Sequence, residues 1–74
     1  MNKKSNQISI YTDYITLGQF LKLADIIQSG GEAKAFLATN EVYIDGELDV
    51  RRGRKLRGGE ELEILGKTYE IVKQ

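Results

Sequence analysis

Ser29-Gly30-Gly31-Glu32-Ala33-Lys34-Ala35-Phe36-Leu37-Ala38-Thr39-Asn40-Glu41-Val42-Tyr43-Ile44-Asp45-Gly46 is the stretch that decides the fold, because its hydrophobic period changes halfway along. Ser29 with Glu32 three residues on fits a capping box, in which hydroxyl and carboxylate satisfy orphan N–H groups at a helix start. Ala33, Phe36 and Leu37 then share one helical face. Asn40, a residue that tolerates the left-handed conformation, is the expected stop. Beyond it Val42 and Ile44 alternate with Tyr43, the period of a strand. Asp45-Gly46 suits the two positive φ angles of a type I′ turn, so Glu47-Leu48 should return as the second arm of a hairpin.

Toward the N-terminus, Gly30-Gly31 should break an earlier helix from this one. Thr16 and Gln19 form another capping-box pattern, and Leu17, Phe20, Leu21 and Ala24 share a face while Gln19, Lys22 and Asp25 point elsewhere. Two short helices therefore meet at a tight corner. Ile8, Ile10 and Thr12 alternate with Ser9, Tyr11 and Asp13 as a first strand, and residues 1–7 read as a flexible tail. Toward the C-terminus, Leu62 and Ile64 alternate with glutamates, Gly66-Lys67 turns, and Thr68 to Val72 puts Tyr69 and Ile71 together. The expectation is an α+β fold: a two-helix corner packed on a small, mostly antiparallel sheet of about five short strands, one domain over residues 8–74. The core should join Leu17/Phe20/Leu21 and Ala33/Phe36/Leu37 to Val42, Ile44, Leu62 and Ile64.

Composition sets bounds on function. The 74 residues are 41% hydrophobic and 30% charged, which is globular, and a domain of about 60 residues buries only roughly 60% of its unfolded surface. With neither cysteine nor histidine, disulfides are excluded and a zinc site is not expected; no cofactor is implied. No apolar run approaches the roughly 20 residues that span a bilayer, and the charged start leads into an alternating segment instead of a signal-peptide core. The chain reads as cytoplasmic, without a membrane partner.

Its formal net charge of 0 is a cancellation. Arg51, Arg52, Arg54, Lys55 and Arg57 fall within seven residues that hold no carboxylate, and this block contains all four arginines. Such a run creates a positive potential, and guanidinium groups offer planar paired donors to phosphate oxygens. The same run also suits a solvated loop.

Catalytic readings lack the necessary groups. Glu61 and Glu63 fall on one strand face as ordinary solvent-facing residues, a nucleophilic triad has no base, and Gly58-Gly59 is followed by glutamate without a Walker lysine. As a DNA-reading helix, Ala33 to Thr39 offers only Lys34. A sulfur carrier would end in Gly-Gly, whereas this chain ends Val72-Lys73-Gln74. Glu60, Glu61, Glu63 and Glu70 leave open a protein-interaction adaptor with a charged protein partner.

The order of helices, hairpin and glycine-punctuated basic loop resembles the RNA-binding module named after ribosomal small-subunit protein four, the S-four domain, or alpha-L motif. The line from Ser29 through Ala33 and Leu37 to Val42-x-Ile44-Asp45-Gly46 is similar to the family's Ser-x-x-x-Ala-x-x-x-Leu…Val-x-Val-Asn-Gly. Leu56-x-x-Gly59-Glu60-x-Leu62-x-Ile64 resembles its closing Leu-x-x-Gly-Asp-x-Ile-x-Ile. The chain looks like the short stand-alone members, to which no catalytic domain is attached. The resemblance implies a non-enzymatic protein that binds structured RNA, with ribosomal RNA and ribosomal proteins the expected partners, and it makes the alternative an adaptor associated with the ribosome or translation machinery without direct RNA contact. Thr16 and Gly18 stand where the family's Arg-Leu-Asp motif has arginine and aspartate, and Gly30 where an arginine follows the serine. Phosphate contacts are therefore expected to move to Arg51, Arg52, Arg54, Lys55 and Arg57. Lys34 and Lys22 would flank them, and Tyr43 would be available to stack on a base.

Overall fold

The computed structural model describes residues 6–74. Of the expected tail, residues 1–5 lie outside the described residues, whereas Asn6 and Gln7 open the first strand. In chain order the elements are β1 (Asn6–Ile10), β2 (Ile15–Thr16), α1 (Leu17–Leu23), a 3-10 turn (Gly30–Glu32), α2 (Ala33–Thr39), β3 (Val42–Ile44), β4 (Glu47–Leu48), β5 (Lys55–Leu56), β6 (Glu61–Ile64) and β7 (Lys67–Lys73). Five strands form one sheet in the order β1-β7-β6-β3-β4. Its pairs are antiparallel except β1 with β7, which run parallel, Ile8 beside Ile71. This is the expected α+β arrangement. The separate ribbon of β2 and β5 was not expected from the sequence pattern.

The start of α1 follows its sequence. Gln19 N–H donates to Thr16 Oγ1 at 3.2 Å, and Thr16 N–H donates to Gln19 Oε1 at 2.8 Å, completing the capping box. Its end does not wait for the two glycines. Asp25 takes a φ of 62°, Ile26 N–H donates to Leu21 O at 2.9 Å, and Asp25 N–H donates to Lys22 O at 3.0 Å. These paired bonds make a Schellman stop, using aspartate in the left-handed position and leaving Ile26 partly buried against the core. At α2 the capping box is replaced. Ser29 makes no side-chain cap bond, and the Glu32 carboxylate reaches back to Gln28 N–H at 3.0 Å. Asn40 stops α2 in an extended conformation, its Nδ2 donating to Phe36 O at 3.0 Å.

The β3–β4 turn has the expected form, with Asp45 at φ 51° and Gly46 at 87°. Between β6 and β7 the turn residues are Leu65 and Gly66, one position earlier than read from the sequence, and Lys67 already pairs with Ile64.

The core lies between the helices and one sheet face. Leu17, Phe20, Leu21, Ala33, Leu37, Val42, Ile44, Leu62 and Ile64 are buried as expected, joined by Ile10, Ile15, Ile27, Leu56, Tyr69 and Ile71. Phe36 departs from expectation: it is only partly buried at the core margin. The central aromatic is Phe20, fully buried and set edge-to-face against Tyr69 with ring centroids 5.4 Å apart. No helix among the described residues is long and apolar enough to cross a membrane.

Candidate functional site

The basic segment is stitched to the start of α1. The first N–H groups of a helix have no intrahelical partner, and here two find acceptors in this segment. Leu17 N–H donates to Arg54 O at 2.8 Å and Gly18 N–H to Arg52 O at 3.0 Å. Ile15 then pairs with Leu56, and Thr16 with Lys55, across the two-stranded ribbon. Leu56 and Ile15 are buried, so the alternating pleat turns Lys55 and Arg57 outward. The expected free loop is thus partly a strand, anchored by one leucine.

Arg52 occupies the centre. A Cβ built at position 18 would lie 2.9 Å from Arg52 Cγ, so glycine there opens the path that the arginine stem takes across the start of α1. From this position Arg52 borders two open grooves. One, of about 460 Å³, is shared with Thr16, Gln19 and Lys22; the other, of about 400 Å³, with Lys34, Ala38 and Val50. Three cations that lie far apart in the sequence therefore surround the helix corner. Among the described residues, none of Arg52, Lys22 and Lys34 takes part in an ion pair.

Arg51 and Arg54 have a different setting. Asp49 accepts a fork from Arg51, Nε to Oδ1 at 3.0 Å and Nη2 to Oδ2 at 2.7 Å, and a further bond from Arg54 Nη1 at 2.8 Å. The Asp49 side chain is only 10% exposed. The side-chain bond from Arg51 holds its carboxyl far below the usual range despite partial desolvation, with the Arg51 N–H and Arg54 adding to the effect. Asp49 in turn raises the Arg51 pKa. Near neutral pH this trio carries net charge +1 instead of +2, and both guanidinium groups are fixed in orientation.

Glu60 closes the segment by accepting Arg57 N–H and Gly58 N–H, both at 2.7 Å, through its carboxylate. Tyr43 stands apart from the grooves around Arg52. Its hydroxyl donates to Glu41 Oε1 at 2.9 Å, and it sits opposite Glu63 on the solvent side of the large sheet. The Glu41 hydrogen bond raises the Tyr43 pKa.

One residue was missed by sequence reasoning. Tyr14 lies just before β2 with Lys55 Nζ 4.9 Å and Arg57 Cζ 5.4 Å from its ring centroid. Its signal was too short to read, because the period-two spacing of Tyr14 and Thr16 gives way at once to the helix.

The assembled surface combines outward cations, fixed arginines and a partly exposed ring along open grooves. Residues 8–72 match the family model described as the S4 domain. A Bacillus subtilis (strain 168) protein named "Probable ribosome maturation protein RlbA" is 63% identical over 69 residues, covering 92% of this chain and 97% of its own length. An Escherichia coli (strain K12) protein named "Putative RNA-binding protein YbcJ" is 29% identical over 59 residues, covering 80% of this chain and 84% of its own.

Proposed function

The chain belongs to the S4 domain family, and from that membership we propose that it is a non-catalytic cytoplasmic protein that binds structured ribosomal RNA during ribosome maturation. The observation that carries this reading is the placement of Arg52 between Lys22 and Lys34, along a path that Gly18 leaves open, with no acidic ion-pair partner among the described residues. Three cations around a helix corner, without ion-pair partners among the described residues, are available to phosphates, and Lys55 and Arg57 extend the row along the ribbon. Arg51 and Arg54 flank them with reduced charge and fixed donors. Tyr43 lies apart from these cations, beside the carboxylates of Glu41 and Glu63. Shape and phosphate spacing would dominate recognition, as they do for double-stranded RNA, whose narrow major groove hides base edges. The names carried by the two relatives support a role in ribosome maturation and RNA binding.

Crosslinking the protein in cells and sequencing the attached RNA tests this reading. Enrichment of a defined ribosomal RNA helix is the expected result. Recovery of ribosomal proteins without RNA would favour the adaptor.

A further inference from the structure

The β2–β5 ribbon presents Tyr14, Thr16, Lys55 and Arg57 to one side. Continuing the register that joins Ile15 to Leu56 and Thr16 to Lys55 brings Tyr14 opposite Arg57. Alternation puts all four side chains on the face opposite the buried Ile15 and Leu56. Two cations thus converge on one ring that is 39% exposed. Among the described residues neither makes an ion pair; nearby Asp13 is engaged by Lys73 at 3.7 Å. Two like charges at one ring repel each other, and an anion placed between them relieves that repulsion.

This position is continuous with the groove at Arg52. Thr16 and Gln19 border both that groove and a second one, of about 440 Å³, that contains Tyr14. We infer that Tyr14, Lys55 and Arg57 form a subsite for one unpaired nucleotide at the end of an RNA helix, its base stacked on Tyr14 and its phosphate held by the two cations. The inference rests on the RNA-binding reading and adds to it a preference for a helix with a single-stranded extension. A flat π-face accepts any base, so the subsite recognises an unpaired state and not a sequence. A base that takes the ring frees the cations to contact its phosphate.

The test compares a blunt RNA hairpin with the same hairpin carrying a short extension that contains 2-aminopurine. Wild-type protein should bind the extended RNA about 5- to 150-fold more tightly, the range that one stacked base supplies, and should change the probe's fluorescence. Tyr14→Phe should keep this advantage. Tyr14→Leu should lose it while melting like the parent and binding the blunt hairpin as before. Equal affinity of the wild type for the two RNAs, or an advantage that survives in Tyr14→Leu, would overturn the subsite and leave the RNA reading standing. Failure to bind either RNA would overturn both.

Discussion

Gly18→Ala should separate RNA binding from stability. The added Cβ would meet Arg52 Cγ at 2.9 Å, while its distance to Ala33 Cβ, 3.5 Å, is ordinary contact. The backbone needs no adjustment, because Gly18 lies in α1 and its φ is not positive. Replacing a helical glycine by alanine stabilises by at most about 0.5–1 kcal/mol. Driving the Arg52 stem to an off-rotamer angle costs about 0.5–1.5 kcal/mol. The two nearly cancel, so the melting temperature should move by less than about 8 °C, the shift that about 1 kcal/mol gives a domain this small. Binding should respond differently. Losing one charge-assisted contact of about 1.5 kcal/mol lowers RNA affinity roughly tenfold. It should also flatten the plot of log affinity against log salt by about 0.7–0.9, one phosphate's share. Titration of a ribosomal RNA hairpin at several salt concentrations, beside a thermal melt, measures both. A folded variant with the parent's affinity and slope would refute the role assigned to Arg52's position.

Removing the Asp49 carboxylate should act in the opposite direction on RNA. Asp49→Asn releases the charge of Arg51 and Arg54, so binding should tighten and the salt slope steepen by up to about 0.7–0.9 for each new phosphate contact; weaker binding would show that the fixed orientation matters more than the charge. Because the folded pKa of Asp49 is lowered, its stabilisation is full above its unfolded value near 3.9 and is lost as pH falls below that. Acid unfolding below about pH 4 should therefore be less steep in Asp49→Asn than in the parent, and identical profiles would contradict the pairing. In the core, Phe20→Ala should cost about 3–5 kcal/mol in urea unfolding and the half-buried Phe36→Ala clearly less. Equal losses would mean that Phe36 is packed as tightly as Phe20.

Local periodicity carried most of the fold. Val42, Ile44, Leu62 and Ile64 declare a sheet face by spacing alone, and Asp45-Gly46 declares its turn. What spacing cannot express is a pairing between distant segments. The parallel contact of Ile8 with Ile71, and a ribbon only two residues long on each arm, depend on tertiary closure. Phe36 shows a related limit: sharing a helical stripe with Ala33 and Leu37 placed it toward the core but not within it. The basic block was legible as charge, but its division into paired and unpaired cations was not. That division turns on Asp49, which lies just outside the block and reaches both Arg51 and Arg54. The location of Arg52 depends on Gly18, a residue whose contribution is the absence of a side chain.

The central claim is that cations gathered around Arg52 hold the phosphates of structured RNA, and a salt-series titration of a ribosomal RNA hairpin with wild-type protein and Arg52→Glu tests it most directly. With about four phosphates engaged, the wild type should show a slope of roughly −3 to −4. Arg52→Glu should remain folded, bind at least about tenfold more weakly, and lose about one unit of slope. A folded Arg52→Glu variant with wild-type affinity and slope would contradict the claim.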